Sequence, residues 1–282
     1  MNQTLHDCIA GRISPQIAVA HFMFNGADAA AIQNELAHAE PHPQLDAIRT
    51  LLLTHTPQID ALTAHIGLHG ADHHASGDTP EEGVARIADF FDRAVAASPE
   101  ASVALYSLGD PLILAAATAE IVEWLEMSDL LAPEADVLDL GCGIGRVAGA
   151  LASRCRSVFG LDVSPGMVAE ARRRHVDQPN LRFEVTAGQN LSFLDAHSFD
   201  LILAIDSFPY LVQAGIVPAH LADAARILRP GGALVVLNLS YETDEWDEIQ
   251  APIWAAESGL ALVGSDRQPF RLWDGSAFVF RR

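Results

Sequence analysis

Cysteine is scarce in this chain, and so is positive charge. Cys8, Cys142 and Cys155 are odd in number and widely spaced, which excludes a disulfide framework and a Cys-x-x-Cys metal pair. Only 17 basic residues stand against 37 acidic ones, for a net charge of −20. That field argues against DNA or RNA as a partner, because phosphate binding draws on clustered Lys and Arg. The one dense basic run, Arg172-Arg173-Arg174-His175, falls late in a predicted helix, where cations favour the helix dipole. No apolar run has the length of a membrane span, and residues 1–10 lack the basic-then-apolar order of a signal peptide. The expectation is a cytoplasmic protein. No internal repeat is visible. A hydrophobic content of 50% over 282 residues suffices for one large domain or two modest ones.

Two grammars divide the chain. Residues 1–100 read as a helical module, with Ser or Thr followed by proline as recurrent helix starts: Ser14-Pro15, Thr56-Pro57 and Thr79-Pro80. After Thr79, the residues Val84, Ile87, Ala88, Phe91 and Val95 make one apolar stripe. Gly26, Pro41-His42-Pro43 and the stretch 70–77 punctuate the helices. A second domain is expected over residues 101–282, and from about Ala132 its short apolar runs alternate with helices. Strands are predicted over 136–140, 157–161, 181–186, 199–205 and 233–239, with two closing runs at 260–263 and 277–280 in a hairpin-like pair. Helices are predicted over 146–153, 165–175, 217–228 and around 245–258. This alternation implies an α/β, doubly wound, mostly parallel sheet.

The sharpest local signal is Val137-Leu138-Asp139-Leu140-Gly141-Cys142-Gly143-Ile144-Gly145-Arg146. Glycines at alternate positions suit a tight strand-to-helix turn in which a ligand lies against bare main chain. Asp139 separates this loop from a phosphate cradle. A carboxylate there repels a pyrophosphate and suits an ammonium- or sulfonium-bearing ligand. Asp162, ending the second strand in Gly160-Leu161-Asp162-Val163-Ser164, is placed to accept from both hydroxyls of a ribose. Gly188-Gln189-Asn190 follows the third strand, Phe199-Asp200 opens the fourth, and Leu228-Arg229-Pro230-Gly231-Gly232 makes a tight turn before the fifth.

In this order and spacing, these motifs resemble the class I S-adenosyl-L-methionine (SAM)-dependent methyltransferase family, over roughly residues 112–282. The resemblance implies a seven-stranded, Rossmann-like methyltransferase sheet and SAM as cofactor, with S-adenosyl-L-homocysteine as product. Gly141 and Gly143 would face the methionine part of SAM, with Asp139 near its amino group, and Met167 would pack on the adenine. Cys142 in the loop, Val163 beside Asp162, and Ile205 at the end of the fourth strand complete the expected contacts. The family often places an acid after the glycine that follows strand three. Here Gln189 and Asn190 stand there, and either amide oxygen can accept from the adenine amine. Asp200 reads as structural.

Methyl transfer from a sulfonium needs alignment above all, and a base only where the acceptor loses a proton. Asp206, at the end of the fourth strand, and Tyr106, before the helix that leads into the sheet, are the candidate catalytic residues. Tyr210, Tyr241 and Trp246 lie near. The sheet region has no long insertion, so the N-terminal helices are the candidate wall or lid of the pocket for a small-molecule acceptor, or the surface of a homodimer. His65 and His69, with His73-His74 beyond, are spaced for a metal pair. Gly67 and Gly70 weaken that helix, and the region reads as a polar loop with no metal. A nicotinamide dehydrogenase would want glycine where Arg146 stands. A non-catalytic binding or assembly protein would share the fold.

Overall fold

The computed structural model describes residues 2–69 and 79–282. His73, His74 and the His69 side chain lie outside the described residues. The N-terminal half contains α1 (Gln3–Ile9), α2 (Pro15–Phe24), α3 (Ala29–Leu36), α4 (Pro43–His69), α5 (Pro80–Ala97), α6 (Pro99–Val103), a 3-10 turn at Leu105–Ser107, and α7 (Pro111–Met127). Two predicted starts hold. Ser14 caps α2 by accepting from the Ile17 amide. Thr79 and Glu82 form a capping box on α5, each accepting from the other's backbone N–H.

The third predicted start, Thr56-Pro57, is corrected, because α4 runs straight through it. Proline 57 removes one helical hydrogen bond to the Leu53 carbonyl. Leu53 is 85% exposed, so water can serve that oxygen, and the Thr56 hydroxyl bonds back to the Leu52 carbonyl. The same helix carries His65 and Gly67, so 65–69 is not a loop. Among the described residues no helix is long and apolar enough to cross a membrane, and no group of His, Cys, Asp or Glu is arranged to hold a metal.

The second half contains β1 (Asp136–Leu140), α8 (Arg146–Leu151), β2 (Ser157–Asp162), α9 (Pro165–Arg174), β3 (Leu181–Val185), β4 (Phe199–Ile205), α10 (Phe208–Gln213), α11 (Val217–Ile227), β5 (Leu228–Leu237), α12 (Asp244–Ser258), β6 (Ala261–Asp266) and β7 (Ala277–Arg281). They build one seven-stranded sheet in the order β3-β2-β1-β4-β5-β7-β6. The first five strands are parallel, and β7 is antiparallel to both neighbours. Burial on both faces explains the unbroken apolar runs: Val137, Leu138, Ile202, Leu203 and Ala204 are fully buried. Strand order reverses between β1 and β4, which opens the crevice typical of such sheets at their carboxyl ends.

The fifth strand starts five residues earlier than predicted, at Leu228. Leu228 pairs with Phe199, a register shift follows, and Gly231 and Gly232 exchange hydrogen bonds with Arg282. The Pro-Gly-Gly segment is therefore a bulged strand opening and not a separate turn. The strand stops at Leu237 because Asn238 turns left-handed (φ 70°). At the amino ends of the strands, Arg229 joins Asp136 (2.9 Å) and Asp200 (2.5 Å), and Asp200 also accepts from the Asp136 amide. Asp200 thus ties the start of β4 to that of β1.

The chain forms two compact units that interleave and do not divide at residue 100. One comprises residues 1–75, 94–120 and 270–274; the other comprises residues 76–93, 121–269 and 275–282. Leu5, Phe22, Met23, Ile32, Ile48 and Leu108 belong to the buried core of the first. The sheet and the packed faces of α11 and α12 make the core of the second. The closing strands β6 and β7 pair antiparallel as expected, through a long connection. That connection gives Phe270 and Trp273 to the first unit, where their rings stack and Glu120 accepts from the amides of Arg271 and Leu272.

Candidate functional site

In the second unit, the loop after β1 holds Gly141, Gly143 and Gly145 at φ 76°, 52° and 76°, a region open to glycine at little cost. The amides of Gly141 and Cys142 both donate to the Leu161 carbonyl, at 2.8 and 3.0 Å, which seats the loop on the end of β2. At Gly141 the need for glycine is also steric. A Cβ there would stand 2.3 Å from that of Ser207, across the β1/β4 switch point. Ser207 holds this close approach by donating from its hydroxyl to the Leu140 carbonyl (2.6 Å).

Two carboxylates flank the loop. Asp162 is 8% exposed; its Oδ2 accepts from the Gly143 amide (2.8 Å) and its Oδ1 from the Ser164 amide (2.9 Å). Burial nonetheless raises its pKa. Asp139 is 2% exposed, and burial pushes its carboxyl up to about 7. Arg146 and the Ala148 amide oppose that rise, and the Asp162 charge adds to it. A buried acid held near neutrality is a group that a neighbouring cation would ionise. Oxygen acceptors and bare backbone therefore surround the loop, and this set of acceptors fits the ammonium and ribose hydroxyls of SAM. A pyrophosphate would meet two carboxylates instead.

The other expected cofactor residues fall around the same strand ends. Met167 is 1% exposed, and its amide donates to Ser164 Oγ at the start of α9. Val163 is half-buried against the Gly188 backbone, where an added Cβ would come within 2.6 Å of it. Ile205 is buried at the end of β4. Gln189 and Asn190 separate. Asn190 is exposed, and its amide oxygen already accepts from the Ser192 amide and hydroxyl; Gln189 is half-buried and has no such turn bond. Cys142 is buried, and burial together with Asp162 and Asp139 raises its pKa well above the ordinary thiol value, so it stays a thiol.

Asp206 ends β4 with a left-handed backbone (φ 55°) and accepts from the Asn238 side-chain amide at 2.8 Å. Tyr210 and Tyr241 meet edge to face, with ring centroids 5.6 Å apart, and their hydroxyls share a hydrogen bond. Burial, reinforced by the Asp206 charge, raises the half-buried Tyr210 phenol, whereas Tyr241 is 45% exposed. Phe91 of α5 packs on Tyr210 at 5.3 Å. Tyr106 lies in the first unit, 6% exposed on the 3-10 turn. Two residues of this region escape a sequence reading. Asn238 carries a faint signal, since asparagine at a strand end tolerates positive φ. Asp92, on α5, carries none, because its partners Ser164 and Gly166 lie more than seventy residues away.

Residues 137–232 match a family model described as a methyltransferase domain. A demethylmenaquinone methyltransferase of Tropheryma whipplei (strain Twist) is 39% identical over 106 residues, which cover 38% of this chain and 42% of that protein. The chain thus spans less than half the length of that curated relative. Among solved structures, phosphoethanolamine N-methyltransferase 1 of Haemonchus contortus, in complex with phosphoethanolamine and S-adenosylhomocysteine, aligns with a TM-score of 0.55 at 18% identity, over 71% of this chain and 49% of that one. A [4+2]-cyclase aligns with a TM-score of 0.51 at 16% identity, over 73% of this chain and 97% of that one. At those identities the two structures speak for the fold alone, and one being a methyltransferase and the other a cyclase, the fold does not name a reaction. The family match, the sheet order and the glycine loop agree: residues 137–232 are similar to a methyltransferase domain and carry its parallel sheet.

Proposed function

We propose that this chain transfers a methyl group from SAM to a small organic acceptor and releases S-adenosyl-L-homocysteine. The observation that carries the proposal is the Asp162–Gly143 hydrogen bond beside buried Asp139, which sets two acids around a bare backbone loop. SAM, when bound, supplies a methyl group on a sulfonium that leaves as an uncharged thioether. Asp139 would hold the ammonium, Asp162 the ribose hydroxyls, and Val163, Met167 and Ile205 the apolar faces. Gln189 would accept from the adenine amine, since Asn190 is committed to its own turn. Asp206, tied to Asn238 and facing Tyr210 and Tyr241, would orient the acceptor and take its proton where one is lost. A small acceptor suits a chain of net charge −20 better than a nucleic acid does. The relative from Tropheryma whipplei, named for demethylmenaquinone, points the same way.

Calorimetric titration with SAM, S-adenosylhomocysteine and NAD tests the proposal. Micromolar binding of the first two, absent for NAD and lost in Asp162→Ala, is the expected result. Binding of NAD alone would move the chain to a dehydrogenase reading. Binding of none would make it a non-catalytic member of the fold.

A further inference from the structure

Within the second unit, one hydrogen-bond chain runs from α5 into the glycine loop. The Ser164 hydroxyl has a single proton and gives it to Asp92 Oδ1 at 2.5 Å. The same oxygen of Asp92 accepts from the Gly166 amide at 2.8 Å. The backbone N–H of Ser164 goes to Asp162 Oδ1, and Asp162 Oδ2 takes the Gly143 amide. Ser164 is fully buried and also caps α9 by accepting from the Met167 amide. Helix α9 therefore has its own N-cap, and the Asp92 carboxylate is not needed for that purpose. Its effect is to hold Ser164 in one rotamer and, with it, the turn that carries Asp162. About two helical turns earlier, Val84 is also buried, and a Cβ on Gly188 would come within 2.8 Å of it, at the loop that bears Gln189. Helix α5 thus bears on two of the loops that would hold the cofactor.

We propose that Asp92 is a positioning residue for the cofactor: through Ser164 it sets the Asp162 carboxylate and the Gly143 amide in the geometry that receives SAM. The inference rests on the cofactor reading above. Charge matters less to this role than acceptor geometry, because one oxygen takes both hydrogen bonds. The residue assigned is therefore replaceable by asparagine, whose amide oxygen can accept the same pair, and not by alanine.

The test is titration of the full chain with S-adenosylhomocysteine. Asp92→Ala should weaken binding about tenfold, as should Ser164→Ala, which breaks the same link from the other side. Asp92→Asn should return affinity to within about threefold of the unaltered chain. The double alanine variant should lose no more than either single one, a non-additivity that general weakening of α5 would not produce. Should Asp92→Ala not fold, Ser164→Ala and Asp92→Asn carry the comparison. Affinity within twofold of the unaltered chain in both Asp92→Ala and Ser164→Ala would overturn the positioning role and leave the cofactor reading standing. An unaltered chain that binds neither SAM nor S-adenosylhomocysteine would overturn both.

Discussion

Asn238 donates its side-chain amide to Asp206 across the ends of β5 and β4, and both residues hold the backbone in the left-handed region. Their main-chain amides are committed elsewhere, that of Asp206 to the Leu237 carbonyl and that of Asn238 to Ser276. The side-chain bond is thus an additional tie on the Asp206 carboxylate. Glycine at 238 removes the bond but accepts the torsion, whereas alanine loses the bond and meets a left-handed cost of ~1–2 kcal/mol. Denaturant midpoints should fall in the order Asn, Gly, Ala. Equal midpoints for the last two would show that the torsion is not held in solution.

The raised carboxyl of Asp139 predicts a pH dependence with a definite sign. A buried acid that titrates near 7 when folded, against 3.8 ordinarily, binds its proton more tightly in the native state. Its contribution to stability is full below the ordinary value and is lost as pH rises through about 7. A shift of that size corresponds to ~4 kcal/mol at most. Asp162 shifts in the same direction. Asp139→Asn should flatten the fall in melting temperature between pH 4 and pH 7 and raise stability at pH 8. Binding of an ammonium ligand should release a proton below pH 7 in the unaltered chain but not in this variant, as calorimetry in two buffers would reveal.

Gly149 and His175 make a steric pair. In an exposed helix interior, Gly→Ala is worth ~1 kcal/mol of stability. Here the added Cβ would lie 2.2 Å from His175 Cε1. Gly149→Ala should destabilise the protein on its own and stabilise it in a His175→Ala background. Stabilisation in both backgrounds would show that the imidazole simply moves aside.

Arg229 bridges Asp136 and Asp200 at the amino ends of β1 and β4, far along the strands from the glycine loop. All three side chains are partly exposed, so solvent screens the pairing. Arg229→Met should cost up to about 1 kcal/mol in chemical unfolding and leave the affinity for S-adenosylhomocysteine unchanged. Arg229→Lys should recover little of the loss, since an ammonium cannot fork between two carboxylates as a guanidinium does. A matching loss of ligand affinity would contradict the structural role.

The most legible parts of the chain are those in which backbone torsion and burial are set by neighbours in sequence. The alternate glycines from Gly141 to Gly145 announce their positive φ, and the apolar runs of β1 and β4 announce a strand covered on both faces. Pro57 misleads because a lone proline looks like a helix start, while the fold can leave the Leu53 carbonyl to solvent and continue the helix. The Leu228–Gly232 segment misleads in the same way: its turn residues are drawn into a bulged strand by Phe199 and Arg282.

The amino-acid sequence by itself determines the glycine loop, the acids at the ends of β1 and β2, and the alternation that makes the sheet. These are local properties of torsion and hydrophobic period. Only the tertiary structure decides that Asp92 reaches Ser164, that Asn238 holds Asp206, and that α5 up to Arg93 joins the unit that contains the sheet. The physical reason is that a buried polar group must find a partner, and the partner is whichever one the folded chain brings within hydrogen-bond distance, however distant in sequence.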